Sequence, residues 1–185
     1  MTQLTFTGSP TVPPITRAAI LSPCGLYRYT LSRRWNGADL NDYERVLVFI
    51  MLNPSKADAL KDDPTIQACC AIARNLGKDG IEVVNMYAYR ATDPKDLEAA
   101  GYPIGPDNQQ WISLAVTHGD KNPVCAWGAG AQPERAREVL RFIRDRGAVP
   151  HALKLNNDGS PAHPLSRGKG FIPLTTKPFP YEVAS

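Results

Sequence analysis

A continuous apolar run, VLVFIML, occupies residues 46–52. It is too short for a typical helix and rich in strand formers, so it predicts a central strand buried on both faces. The run stops at Asn53-Pro54, because proline lacks the N–H that a strand ladder needs. Upstream, Tyr27, Tyr29 and Leu31 alternate with Arg28, Thr30 and Ser32, the pattern of a half-buried strand, and Asn36-Gly37 is a turn signal. Downstream, Asp63-Pro64 reads as a helix N-cap followed by the first helical residue. Ile66, Cys69, Cys70, Ala73 and Leu76 follow at helical spacing, and Gly77 can close that helix. Residues 81–87 form a second strand. Asp107 opens a helix with Trp111, Leu114 and Ala115 on one face. Residues 123–127 are a third strand. Pro133 starts a helix with Ala136, Val139, Leu140 and Ile143 inward, ended by Gly147, and residues 148–155 are a fourth strand.

Strand and helix therefore alternate from residue 46 onward. The expected fold is a three-layer α/β/α sandwich around a mostly parallel four-stranded sheet, with an N-terminal β-hairpin. Residues 1–22, with Pro10, Pro13 and Pro14 and few periodic apolar positions, read as an arm. Residues 23–185 read as a single α/β domain. In such sheets ligands bind beyond the carboxyl ends of the strands. That rule directs attention to four segments: 53–62, 85–94, 127–132 and 156–169.

Composition changes this picture little. The 185 residues are 43% hydrophobic and 21% charged, an ordinary globular balance. No apolar run is long enough to span a membrane, and the first residues lack the order of a signal peptide, so the expectation is a cytoplasmic protein. The net charge of +3 permits a nucleic-acid partner without demanding one. Arg28, Arg33, Arg34, Arg167 and Lys169 lie near the two ends of the chain and can either converge or stay scattered. The cysteines Cys24, Cys69, Cys70 and Cys125 form no CxxC pair, and no histidine stands at zinc-ligand spacing. They fit buried free thiols in a reducing compartment. Asp58, Asp62 and Asp63 match no calcium loop.

Four segments carry candidate chemistry. In LNPSKADALKDDPT (52–65), Asn53 can orient a water or hold a ligand, and the loop N–H groups can meet an anion. Equally, Asn53, Pro54 and Ser55 can simply build a turn. In VVNMYAYRATDP (83–94), Asn85 interrupts an apolar strand. A buried amide needs partners, so Asn85 either ties down backbone or faces a pocket, where its donor and acceptor suit a base edge. Tyr87 and Tyr89 can stack on a base or serve as packing. In AWGAG (126–130), small residues let backbone approach a ligand, or form a plain turn. In KLNNDGSPAHPLSRGKG (154–170), His163 can donate to a developing negative charge, or be ordinary polar surface. There is no GxxxxGK[ST] loop and no GxGxxG after a strand, which argues against phosphoryl transfer and dinucleotide redox chemistry.

The motifs CGLYRYTLSRRW, VFIMLNPSKADALKDDPT, VVNMYAYRATDP, AWG and DGSPAHPLSRG, in that order, resemble the bacterial and phage family catalogued as domain of unknown function 1643. The resemblance covers about residues 24–170. A more distant one is to the uracil-DNA glycosylase superfamily, whose fold is a parallel four-stranded sheet with helices on both faces. By that resemblance, Asn53 matches the asparagine that positions the attacking water. Asn85 matches the asparagine that reads the base, and His163-Pro164-Leu165-Ser166 matches the motif whose histidine stabilises charge on the base. Ser55 replaces a glycine of that family's first loop, no aspartate stands at its water-activating position, and Tyr43, Tyr87 and Tyr89 are the candidates for its stacking aromatic.

The implied function is a DNA glycosylase-like hydrolase acting on an unusual or modified base, as in DNA repair, with no cofactor and no metal. Asn53 and His163 would be catalytic. Asn85, Pro54, Ser55, Tyr87 and Ser166 would bind substrate, and Arg167 and Lys169 would contact phosphate. The partner would be DNA or a nucleotide, with no membrane. Two further readings stay open: a non-catalytic DNA- or nucleotide-binding module of the same fold, and an interaction protein using the Tyr/Arg-rich segment 27–35.

Overall fold

The computed structural model describes residues 15–55, 60–166 and 170–182. In chain order the elements are β1 (Thr16–Leu21), β2 (Arg28–Arg34), β3 (Val46–Met51), α1 (Pro64–Asn75), β4 (Gly80–Asn85), α2 (Pro94–Ala99), α3 (Asn108–His118), β5 (Val124–Cys125), α4 (Pro133–Arg144), β6 (His151–Ala152) and β7 (Phe179–Pro180). The fold is α/β, but the sheet is mixed and seven-stranded, in the order β1-β2-β4-β3-β5-β6-β7. This corrects the expected four strands. Strands β4, β3, β5 and β6 are parallel neighbours, while β2 and β7 add antiparallel to them and β1 adds antiparallel to β2. Strands β1 and β2 form an N-terminal hairpin, but its first strand lies in the segment expected to be an arm. The expected arm is described from residue 15, where it becomes edge strand β1. Its sequence TRAAIL alternates weakly, and β7 has two residues, so neither strand carried a readable period.

All of β3 is buried, as its apolar run predicts. Its side chains alternate between two cores. Leu47, Phe49 and Met51 face α1, with Ile66, Cys69, Cys70 and Ala73. Val48 and Ile50 face the other helices, with Leu97 of α2, Ile112 and Val116 of α3, and Val139 and Ile143 of α4. Helix α1 starts as predicted: Asp63 accepts from the Ile66 N–H at 2.9 Å, Pro64 occupies the first turn, and Gly77 follows at φ +70°. Helix α3 turns a different face inward than expected, burying Ile112, Ala115 and Val116 and leaving Leu114 38% exposed. Trp111 instead stacks on Tyr29. Of the four cysteines, Cys69, Cys70 and Cys125 are buried free thiols, whereas Cys24 is free and exposed.

Strand β2 is not half-buried but wholly buried: it lies inside the sheet between β1 and β4, and α3 packs on one of its faces through Trp111 against Tyr29. Its polar residues are neutralised within the sheet. Glu82 of β4 accepts from Ser32 at 2.7 Å and from Arg34 at 3.0 Å, and also from Thr30. Arg33 pairs with Asp62 at 2.7 Å. Gly80 is required by this packing: a Cβ there would sit 2.5 Å from Arg34 Cδ and 2.7 Å from the Arg33 carbonyl.

The chain runs from β3 through α1 to β4 on one side of β3, then through α3 to β5 on its other side. This reversal opens a crevice at the carboxyl ends of β3 and β5, the place where open α/β sheets bind ligands.

Candidate functional site

A cleft of about 360 Å³ lies in that crevice. Asn53 reaches it from the exit of β3, Asn85 from the last position of β4, Trp127 and Gly130 from the segment after β5, and His163 from the segment after β6. Three residues far apart in sequence, Asn53, Asn85 and His163, thus line one cavity of a size suited to a small planar ligand. Ser55 also lines it.

Asn53 is held by its neighbours. Its Nδ2 donates to the Ala91 carbonyl at 2.8 Å and lies 3.2 Å from the Pro54 carbonyl, and the Ala91 N–H returns a bond to the Pro54 carbonyl. These bonds tie the loop after β3 to the segment after β4. No hydrogen bond to Asn53 Oδ1 is found among the described residues, so Oδ1 is the amide atom left to accept from an occupant of the cleft.

Asn85 is 1% exposed, and its Nδ2 has no hydrogen-bond partner. Its register partner is Met51, which puts its side chain on the α1 face of the sheet. The backbone there is fixed by Asn108, whose Nδ2 donates to the carbonyls of Asn85 at 2.9 Å and Met86 at 3.1 Å. An unsatisfied buried donor costs about 1–3 kcal/mol. Asn85 therefore lines the cleft with a donor that the chain itself does not use.

His163 lies mostly buried in a tight turn. The Leu165 N–H donates to His163 Nδ1 at 3.1 Å, and the Ser166 N–H to the His163 carbonyl. With Nδ1 accepting, the neutral ring carries its proton on Nε2. Burial lowers the histidine pKa, and the negative charge of Asp63 acts in the opposite direction. A neutral imidazole with Nε2–H can donate a hydrogen bond to a ligand oxygen or nitrogen without adding a full charge.

The other sequence candidates are placed as follows. Pro54 supplies the carbonyl that joins the two loops. Ser166 closes the His163 turn and is not among the cleft-lining residues. Tyr87 is buried in the core on the far face, beside Tyr102. Tyr89 meets Tyr27 edge-on, and Tyr43 lies by His118. The aromatic side chain that lines the cleft is Trp127, 3% exposed. Arg167 and Lys169 lie outside the described residues.

Three cleft residues escaped the sequence reading. Asp63 was explained by its capping role, which it fills, yet its second oxygen accepts from Ser55 Oγ and the carboxylate also lines the cleft. Arg28, buried at the start of β2, brings a guanidinium to the cleft. Its motif and its place among residues that can converge were legible, but only the pairing of β2 with β4 puts it at the cleft. Trp127 was hidden in a segment read for its small residues. Of these, Gly130 lies against Leu52, whose Cδ2 would be 2.9 Å from a Cβ there and would have to shift. Among the described residues, no group of three or more His, Cys, Asp or Glu side chains gathers as a metal site, and no helix is long and apolar enough to cross a membrane.

The family model described as "Protein of unknown function (DUF1643)" matches residues 28–165. The chain belongs to this family. The DUF1643 match begins at Arg28 and ends just beyond His163, so every residue lining the cleft falls inside it. No curated protein and no solved structure matches the chain.

Proposed function

We propose that this DUF1643 protein is a nucleobase-processing enzyme that hydrolyses the N-glycosidic bond of an unusual or modified base in DNA. The observation that carries the reading is the unpartnered Nδ2 of Asn85 in a cleft shared with Asn53 and His163. In this mechanism the base enters between Asn85, which donates to an acceptor on its edge, and Trp127, which offers a ring face. Asn53 Oδ1 accepts from a water and holds it against the anomeric carbon. The water oxygen bonds to the anomeric carbon as the C–N bond breaks; that bond's electron pair passes to the base, where His163 Nε2–H and the Arg28 guanidinium stabilise the negative charge, and the proton the water loses ends on the released base. Asp63 supplies the carboxylate that the first-loop motif lacks, and it favours positive charge developing on the sugar.

One observation favours a second reading, a non-catalytic DNA- or nucleotide-binding module. Both Asp63 oxygens already accept hydrogen bonds, from Ile66 N–H and Ser55 Oγ, which weakens the group as a base. Incubating the purified chain with a panel of modified-base DNAs and nucleosides separates the readings. The enzyme releases free base, and Asn53→Ala abolishes release. The binding module retains DNA, releases nothing and tolerates Asn53→Ala.

A further inference from the structure

The cleft does not end at Ser55. Ser55, Ala91 and Thr92 line it on one side and also line a second hollow of about 370 Å³, which continues past Gly25 and Leu26 to Arg90 and Asp96. The two cavities share a wall built from the loop after β3 and the segment after β4, the same loops that Asn53 ties together. A base filling the first cavity would leave the rest of its molecule directed over this wall.

Arg90 is set up to meet that remainder. Its backbone N–H donates to the Leu26 carbonyl, and its Nη1 donates to the Gly25 carbonyl at 3.2 Å, so the guanidinium is anchored from the β1–β2 connection. Its Nε is buried and has no partner. No salt bridge to Arg90 is found among the described residues. The residue was assigned no role by motif, and it is a cation lining a cavity that adjoins the proposed base site. An anchored guanidinium of this kind suits a phosphate oxygen. The hollow also holds Asp96, an exposed carboxylate in the first turn of α2, which opposes an anion and so limits how strongly a phosphate is held.

We infer that the second hollow is a phosphate subsite centred on Arg90, so the substrate is a nucleotide or a nucleic-acid strand and not a free nucleoside. This rests on the base-binding reading of the first cavity and adds to it the place where the phosphate of the substrate is held. Arg90 binds the phosphate next to the held nucleoside, Thr92 offers a hydroxyl to the same group, and Asp96 sets the affinity through repulsion.

The test uses the full chain and a fluorescent single-stranded oligonucleotide with a central tetrahydrofuran abasic unit, titrated by anisotropy at several salt concentrations. Arg90→Ala weakens binding about tenfold and lowers the slope of log affinity against log salt by about 0.7, the value for one lost phosphate contact on a single strand. Arg90→Lys keeps most of both, which guards against a simple folding defect, as does an unchanged melting temperature. Asp96→Asn tightens binding. A 5′-mononucleotide that displaces the oligonucleotide at comparable concentration assigns the phosphate to a free nucleotide; failure to displace it assigns the phosphate to a strand, and the subsite stands either way. Oligonucleotide binding unchanged in affinity and salt slope by both Arg90→Ala and Asp96→Asn overturns the subsite alone. Absence of binding to every nucleotide and oligonucleotide probe overturns the base-binding reading and the subsite with it.

Discussion

Glu82 and Asn85 stand three positions apart on strand β4, and both are buried. Glu82 points toward β2, where its two carboxylate oxygens accept from Thr30, Ser32 and Arg34. Its charge is matched by the Arg34 guanidinium, although Arg34 Nε itself has no acceptor. Asn85 lines the cleft, and its buried Nδ2 has no hydrogen-bond partner within the chain. A buried polar group that the chain itself satisfies holds the fold in one arrangement. A buried polar group that the chain leaves open, beside a cavity at the switch point of the sheet, is the kind of group the proposed reading gives to a ligand. On the proposed reading, one strand thus carries both a group that stabilises the fold and a group that serves a function.

Substitutions at these two positions should separate stability from binding. Glu82→Ala leaves Arg34 as an unpaired buried charge and is expected to cost about 3–5 kcal/mol, read from the denaturant midpoint. A loss below about 1 kcal/mol would mean that the ionic network is not what fixes β2. Asn85→Leu removes the orphaned donor at similar volume. Stability should change by less than about 1 kcal/mol, while base release or nucleotide binding falls on the order of a hundredfold, roughly the weight of one oriented donor in a catalytic site. If Asn85→Leu unfolds the protein, the amide is structural and the contrast with Glu82 collapses.

A smaller effect concerns His163. Its pKa is lowered by burial, so below the ordinary histidine value of 6.5 the unfolded chain binds a proton that the folded one resists. The stability this histidine contributes is present above pH 6.5 and is lost as pH falls through the lowered folded value. Comparing stability against pH for the native chain and His163→Gln should show a flatter acid limb in the variant. Identical limbs would contradict a neutral, desolvated His163.

Much of the central architecture was readable because it rests on local patterns. The 46–52 run, the Asp63-Pro64 cap and the Pro133-to-Gly147 helix each declare themselves within a few residues. The flanking strands did not, since β7 is two residues long and β1 alternates weakly. Strand β2 was read as half-exposed because its serine, threonine and arginines look solvated; their partners, Glu82 and Asp62, are remote in sequence. The cleft shows the same division. Asn53, Asn85 and His163 were visible as polar residues where apolar or small ones were expected. Arg28 and Trp127 were not, because only the pairing of β2 with β4 and the turn after β5 bring them to the cavity. Asp63 was seen, but one sufficient role concealed a second.

The central claim, that Asn53, Asn85 and His163 form one base-processing site, is tested most directly by base release. The purified chain, Asn53→Ala and Asn85→Leu should each be incubated with a panel of modified-base DNAs, and free base and abasic sites quantified together. The account predicts release of base and formation of abasic sites in equal amounts from at least one DNA by the native chain, neither product from Asn53→Ala, and about a hundredfold less of both from Asn85→Leu. Release from no DNA, or release that survives both substitutions, would contradict it.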